Sequence, residues 1–231
     1  MVIETILFDL DDTLIAEIEW ARTGWHVVAE HLAASTGRDS AGLERLMASF
    51  FASDRRRVFD QLAGEIGLED EAVAECITLY RSSPRTLTLL EDAAAALEFA
   101  AERHHRNGIV TDGPQLTQRT KVDGAGLRSR VEVIVYTDAL GPGAGKPDPA
   151  GFREALRQLE MPAHSAVYVA DNAAKDFAGP RLLGMRTVQV KRPGGVYDGA
   201  AAPPGGEPDV AVSSLHELAG VVAAWASSPG A

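Results

Sequence analysis

Ile6-Leu7-Phe8-Asp9-Leu10-Asp11-Asp12-Thr13-Leu14 closes a short apolar run that starts at Val2 and is interrupted by Glu4 and Thr5. Such a run reads as a strand buried on both faces. It stops abruptly in three carboxylates within four residues. Acids at the carboxyl end of a buried strand stand where open α/β sheets receive their ligands. With a side-chain period of two, Asp9 and Asp11 share a direction if the strand continues. Two such acids repel each other until one takes a proton or a cation joins them. A divalent ion such as Mg²⁺, which favours a few carboxylates plus water, removes the conflict. The plainer reading is an acidic turn that caps the next helix, with Asp12 or Thr13 as N-cap. An EF-hand loop fits less well, because the glycine at its sixth position is missing.

Beyond Thr13 the pattern turns helical and stays so to about Arg81. Trp20, Trp25, Val28, His31 and Leu32 recur at helical spacing, and Thr36-Gly37 closes that helix. Three further apolar stripes follow: Leu43, Leu46, Met47 and Phe50; Val58, Leu62 and Ile66, ended by Gly67; and Val73, Cys76, Ile77 and Tyr80. No strand pattern interrupts them, so residues 16–85 read as an all-helical cap, with residues 1–15 and 86–231 forming the core. From Thr86 strand and helix alternate. Glu91 to Arg106 is an alanine-rich helix, Ile109 to Thr111 a strand, and a helix runs through Gln118 and Val122. Strands are expected at Val131–Tyr136, Ala166–Ala170, Thr187–Val190 and Asp209–Val212, and helices at Phe152–Leu159 and Leu215–Trp225. Arg192 to Glu207 reads as a Gly/Pro-rich loop and Ser227 to Ala231 as a frayed tail. This alternation predicts a doubly wound parallel sheet covered on both faces.

Three later groups carry chemistry. Thr111 ends a buried strand, and in Thr111-Asp112-Gly113 its hydroxyl can donate to a phosphate oxygen while the glycine lets the backbone approach. Lys146 is fixed between Gly145 and Pro147. A nucleotide P-loop is excluded there, since Pro147 stands where a Ser or Thr would hold the metal. Asp171 ends the strand Val167-Tyr168-Val169-Ala170, and Asp176 follows five residues on. Alone, these acids are equally at home at a helix start.

Taken together, Asp9-x-Asp11-x-Thr13, Thr111-Asp112-Gly113, Lys146-Pro147 and Asp171-Asn172-x-x-x-Asp176 resemble the four signatures of the haloacid dehalogenase superfamily. The resemblance covers the chain outside the helical insert. It implies a Rossmann-like core and, because an Asp stands at the second position of the first signature, the phosphatase branch. It implies Asp9 as nucleophile, Asp11 as general acid/base, and Thr111 and Lys146 as catalytic partners. It further implies Mg²⁺ held by Asp9, Asp11, Asp171 and Asp176, and phosphate contacts from Thr13, Thr111, Asp112, Gly113 and Lys146. Asp176 would act through water or orient Lys146. Two small departures are Ala170 and Asn172, where the family usually has Gly and often Ser. The implied reaction is hydrolysis of a small phosphorylated metabolite. A phosphosugar mutase would use the same residues, and a non-catalytic phosphometabolite-binding protein is a third reading. A receiver domain also phosphorylates an Asp, but its acceptor lies on a middle strand and it has no cap.

The 231 residues are 45% hydrophobic, enough for one large domain or a domain with an insert. A formal net charge of −11 argues against nucleic acid or an anionic membrane as partner. The lone cysteine, Cys76, is expected in the core. With no intrachain disulfide, no basic-then-apolar leader and no long apolar span, the expectation is a cytoplasmic monomer or homodimer. Other side chains are read as ordinary. Arg55-Arg56-Arg57 is taken as a solvated face over a contact for a second anion. Trp20, Trp25 and His26 are taken as packing residues over the pocket mouth, and His104-His105 as surface. Arg81 and Arg85, where insert and core rejoin, are candidates for substrate contact.

Overall fold

The computed structural model describes residues 2–192, 195–197 and 199–227. Six parallel strands form one sheet: β1 (Thr5–Phe8), β2 (Arg106–Thr111), β3 (Val133–Tyr136), β4 (Ala166–Ala170), β5 (Arg186–Val190) and β6 (Val210–Val212), in the order β3-β2-β1-β4-β5-β6. Side chains alternate across it. Ile6, Phe8, Ile109, Val167, Val169, Val188 and Val190 pack under α5 (Glu91–Glu102) and α9 (Leu218–Ser227). Leu7, Val110, Val135, Tyr168 and Ala170 pack on the other face against α7 (Ala150–Leu159). The near-continuous apolar runs are those of strands covered twice. The strand order reverses between β1 and β4, whose Phe8 and Val169 are paired in register, so the ligand crevice opens above these two strand ends.

Between β1 and α5 the chain forms α1 (Glu17–Thr36), α2 (Ser40–Asp54), α3 (Val58–Ile66) and α4 (Asp70–Ser82). These helices enclose their own apolar cluster, including Trp25, Val28, Leu32, Leu43, Met47, Leu62 and Cys76. Gly37 and Gly67, at φ of 71° and 73°, end α1 and α3 in the left-handed conformation that favours glycine.

Several boundaries differ from the sequence reading. α5 stops at Glu102 instead of Arg106, because Arg106 pairs with Thr5 and its N–H donates to the Glu4 carbonyl. Strand pairing takes Arg106, and residues 103–105 form the turn before it, with His104 at φ 58°. β1 begins at Thr5 and β3 at Val133, since Val2 and Val131 have no strand partner. Leu215–Glu217 forms a 3-10 turn before α9, held by a capping box between Ser214 and Glu217. The tail expected beyond Ser227 lies outside the described residues. α6 (Gln115–Gly124) and the short α8 (Ala178–Leu182) complete the core, and no described helix is long and apolar enough to cross a membrane.

Candidate active site

Three strand ends deliver the site. Asp9 follows Phe8, and its N–H still donates to the Val169 carbonyl at 2.9 Å, so β1 carries it to the crevice in sheet register. Thr111 is the last residue of β2, and Asp171 follows the last residue of β4. Lys146 reaches in from the loop before α7. Its side chain is fully buried, and Nζ donates to Asp9 Oδ1 at 2.7 Å and to the Tyr168 hydroxyl at 2.9 Å. Asp176 Oδ1 lies 2.8 Å from the same Nζ, and its Oδ2 accepts from the Asn172 N–H at 3.1 Å.

Carboxylate oxygens of Asp9, Asp171 and Asp176 lie within 4.8 Å of one another. Burial pushes the Asp9 carboxyl up to about 6 against the pull of Lys146, with Asp176 adding to the rise. Burial, then the charges of Asp9 and Asp176, push Asp171 up to about 8. Burial disfavours the Lys146 ammonium, but Asp176 and Asp9 outweigh it and hold Lys146 well above the ordinary lysine value. Three carboxyls thus share one buried ammonium, and ionising all of them calls for further positive charge. Three buried oxygen donors without His or Cys suit a hard divalent cation, and Mg²⁺ fits them.

Asp11 stands apart from this cluster. The sequence reading had its carboxylate converge with Asp9 and Asp171; instead it turns toward α6. Lys121 Nζ contacts both of its oxygens, at 2.7 and 2.8 Å, and Gln118 Nε2 donates to Oδ2 at 3.0 Å. Burial alone would raise the Asp11 carboxyl, but the Lys121 charge and these bonds hold it below the usual range. The chain leaves strand geometry here: Asp12 adopts φ 52°, and the period-two argument lapses. Asp12 Oδ1 accepts from the Glu17 N–H at 2.9 Å, but the N-cap of α1 is Ala16, so neither Asp12 nor Thr13 takes the capping position that the plainer reading gave them.

The phosphate-side residues divide as well. Thr111, Asp112 and Gly113 all line a cavity of about 400 Å³ with Asp9, Asp11 and Asp171. Asp112 acts as a latch, accepting from the Thr137 hydroxyl at 2.8 Å, the Lys146 N–H at 3.1 Å and Lys175 Nζ at 3.0 Å. Thr13 is fully buried behind the turn, its hydroxyl without a hydrogen-bond partner.

The sequence reading passed over Lys121, Gln118 and Lys175, all of which line the cavity. What marks them is burial, which the sequence does not show. Among the residues of α6, Leu116 is exposed and the buried face is Thr117, Gln118, Lys121 and Val122. A helix whose buried face is polar packs against something polar. Arg55 is not a solvated residue. Nη1 pairs with Glu17 Oε2 at 2.8 Å and Nη2 donates to the Tyr197 hydroxyl, closing the wall of the cavity. Arg56, Arg81 and Trp20 also line it, whereas Arg57 pairs with Asp60 outside. Trp25 packs on Phe51, and exposed His26 pairs with Glu44. Arg85 stacks on Trp20, 3.3 Å from its ring centroid. His104 is exposed, while His105 is half-buried against Phe99.

A family model described as haloacid dehalogenase-like hydrolase matches residues 6–190. The chain belongs to this family. Over 199 residues it is 33% identical to a phosphoserine phosphatase of Thermus thermophilus, covering 86% of this chain and 76% of the relative. A glyceraldehyde 3-phosphate phosphatase of Methanopyrus kandleri is 28% identical over 230 residues, 96% of this chain and 97% of that one. A crystal structure of a 2-haloacid dehalogenase from Pseudomonas syringae superposes with a TM-score of 0.64 at 27% identity, over 97% of this chain and 100% of the other. The haloacid dehalogenase fold therefore accommodates phosphatases and a dehalogenase alike, and residues at the strand ends must decide between chemistries.

Proposed function

We propose that the chain is a Mg²⁺-dependent phosphomonoester hydrolase that acts on a small metabolite through an aspartyl phosphate. The observation that carries this is the division of labour between Asp9 and Asp11. Asp9 lies among Lys146, Asp171 and Asp176, while Asp11 lines the same cavity apart from them, held by Lys121 and Gln118 of α6. A carboxylate nucleophile needs a neutralised phosphoryl group, and a leaving alkoxide needs a proton donor.

In this mechanism Asp9 attacks phosphorus as the bond to the leaving oxygen breaks, and Asp11, which enters the step protonated once substrate has drawn Lys121 off one of its oxygens, gives that oxygen a proton. Asp11 then takes a proton from the incoming water, whose oxygen displaces Asp9 and releases inorganic phosphate. Lys146 and Thr111 stabilise the charge on the phosphoryl oxygens. Mg²⁺, held by Asp9, Asp171 and Asp176, would supply further charge neutralisation there. Helices α1–α4 act as a cap: Trp20, Phe51, Tyr80, Arg56 and Arg81 wall the cavity and select the substrate's body.

The test is phosphate release from a panel of phosphomonoesters with Mg²⁺, beginning with phosphoserine and glyceraldehyde 3-phosphate, the substrates named for the two relatives. Asp9→Asn should lower turnover by at least about 10⁴-fold while remaining folded. Undiminished release in excess EDTA, or from folded Asp9→Asn, would overturn the reading.

A further inference from the structure

The turn that carries the acids is gripped from the side opposite α6. Arg192, two residues past β5, donates from Nε to the Asp12 carbonyl at 3.0 Å and from Nη2 to the Thr13 carbonyl at 3.2 Å. The same guanidinium binds both carboxylate oxygens of Asp92, each at 2.9 Å. Asp92 is buried in the first turn of α5, and it also accepts from the Leu215 N–H at 2.9 Å and the Ser214 hydroxyl at 3.0 Å. One side chain therefore ties the catalytic turn to the end of β5, the start of α5 and the turn before α9.

The turn has reason to need a tie. Asp12 sits at φ 52°, a left-handed backbone that residues other than glycine seldom adopt. Its carbonyl and that of Thr13 must find donors inside the protein. A guanidinium presents several N–H groups in one rigid plane, so it can bind two carbonyls and a carboxylate together. An ammonium cannot match that geometry.

We propose that Arg192 is a positioning residue: by fixing the carbonyls of Asp12 and Thr13, it sets the backbone from which Asp9 and Asp11 project. For its kinetic consequence the proposal rests on the phosphatase reading above. Arg192 does not line the cavity that holds Asp9 and Asp11; it lines a second one that shares Asp171 and Tyr197 with it.

The experiment uses the full chain with Mg²⁺ and p-nitrophenyl phosphate, comparing Arg192→Met, Arg192→Lys and Asp92→Asn with the unmutated protein. Thermal unfolding establishes that each variant folds. Arg192→Met should lose about 10–100-fold in kcat, with KM within about threefold, because misplacement of catalytic groups is costly even from a distance. Millimolar guanidinium, far below denaturing levels, should restore part of that kcat in Arg192→Met and none in the unmutated chain. Asp92→Asn, which leaves the carbonyl contacts to Arg192, should fall between, and it and Arg192→Lys carry the same comparison if Arg192→Met fails to fold. Amide hydrogen exchange over residues 10–15 should quicken in the variants. A folded Arg192→Met with unchanged kcat, or a loss confined to KM, overturns the proposal. If the unmutated chain releases no phosphate, the phosphatase reading falls instead; the clamp is then judged by exchange alone, and unchanged exchange overturns it.

Discussion

Asp9 and Asp11 are two residues apart, and the proposed mechanism gives them opposite duties because their partners differ. Asp9 is shared with Lys146 in a buried cluster, whereas Asp11 is held by Lys121 and Gln118 against the cavity wall. Asp11→Asn should therefore separate the two half-reactions. A nitrophenolate leaves without a proton and an alkoxide does not, and general acid catalysis contributes about 10²–10⁴-fold. In rapid-mixing experiments the variant should give a burst of nitrophenol, then stall as the aspartyl phosphate, while alkyl phosphates are slow from the first step. No burst, with equal slowing of both substrate types, would remove Asp11 from the acid/base role. Lys146 carries a second residue-scale prediction. Lys146→Met leaves Asp9 and Asp176 buried without their cation, and breaking a buried pair from one side costs about 3–5 kcal/mol. Thermal unfolding should show that loss, with Mg²⁺ recovering part of it.

Two helical glycines separate what an element needs from what its neighbours need. An exposed helix glycine costs roughly 0.5–1 kcal/mol relative to alanine. Gly64 in α3 has open space where a Cβ would go, so Gly64→Ala should raise Tm. A Cβ on Gly24 in α1 would overlap the Arg85 guanidinium and the Tyr80 ring. Gly24→Ala should lower Tm despite the same gain in helix propensity, since overpacking costs about 1–3 kcal/mol. It should also raise KM, because Arg85 stacks on Trp20, a cavity wall. A higher Tm for Gly24→Ala would show that Arg85 gives way freely. The sequence made the strands and cap helices legible, because apolar period is a local signal read through Ile6, Val28 or Val169. Asp9, Thr111, Lys146 and Asp171 were legible because each sits at the end of such a run or between glycine and proline. Arg55, Lys121 and Arg192 were not, since a charged side chain shows no local sign of the distant carboxylate or carbonyl that it will meet. The end of α5 was hidden for a related reason: it is set by the pairing of Arg106 with Thr5, not by the helix's own residues.

At the scale of the molecule, the acid cluster should link folding to pH and to the proposed divalent cation. The folded chain pushes Asp9 up to about 6 and Asp171 up to about 8, both above the value of 3.8 for a free side chain. A carboxyl whose folded value is raised binds its proton more tightly in the folded state. The stability it contributes is full below pH 3.8 and is lost as pH rises through the folded values. Other acids run the opposite way. Asp92 is held down, against its burial, by Arg192 and the Leu215 N–H, and it loses stability as pH falls. Between about pH 5 and 8.5 Asp9 and Asp171 titrate alongside His26, which Glu44 raises and which adds to the fall, and His105, which burial lowers and which opposes it. With two acids raised so far, Tm without divalent cation should fall across that window. A cation at the cluster favours the ionised carboxylates and competes with their protons. Its stabilisation of the folded chain should therefore be small near pH 5 and several degrees larger near pH 8.5. The measurement is thermal unfolding at both pH values in saturating Mg²⁺ and in EDTA, with Asp171→Asn as the comparison. Removing one acid relieves the repulsion that the cation offsets, so Asp171→Asn should be the more stable chain in EDTA at pH 8.5 and gain little from Mg²⁺. A Mg²⁺ effect equal at the two pH values, or as large in Asp171→Asn, would place the cation away from Asp9, Asp171 and Asp176.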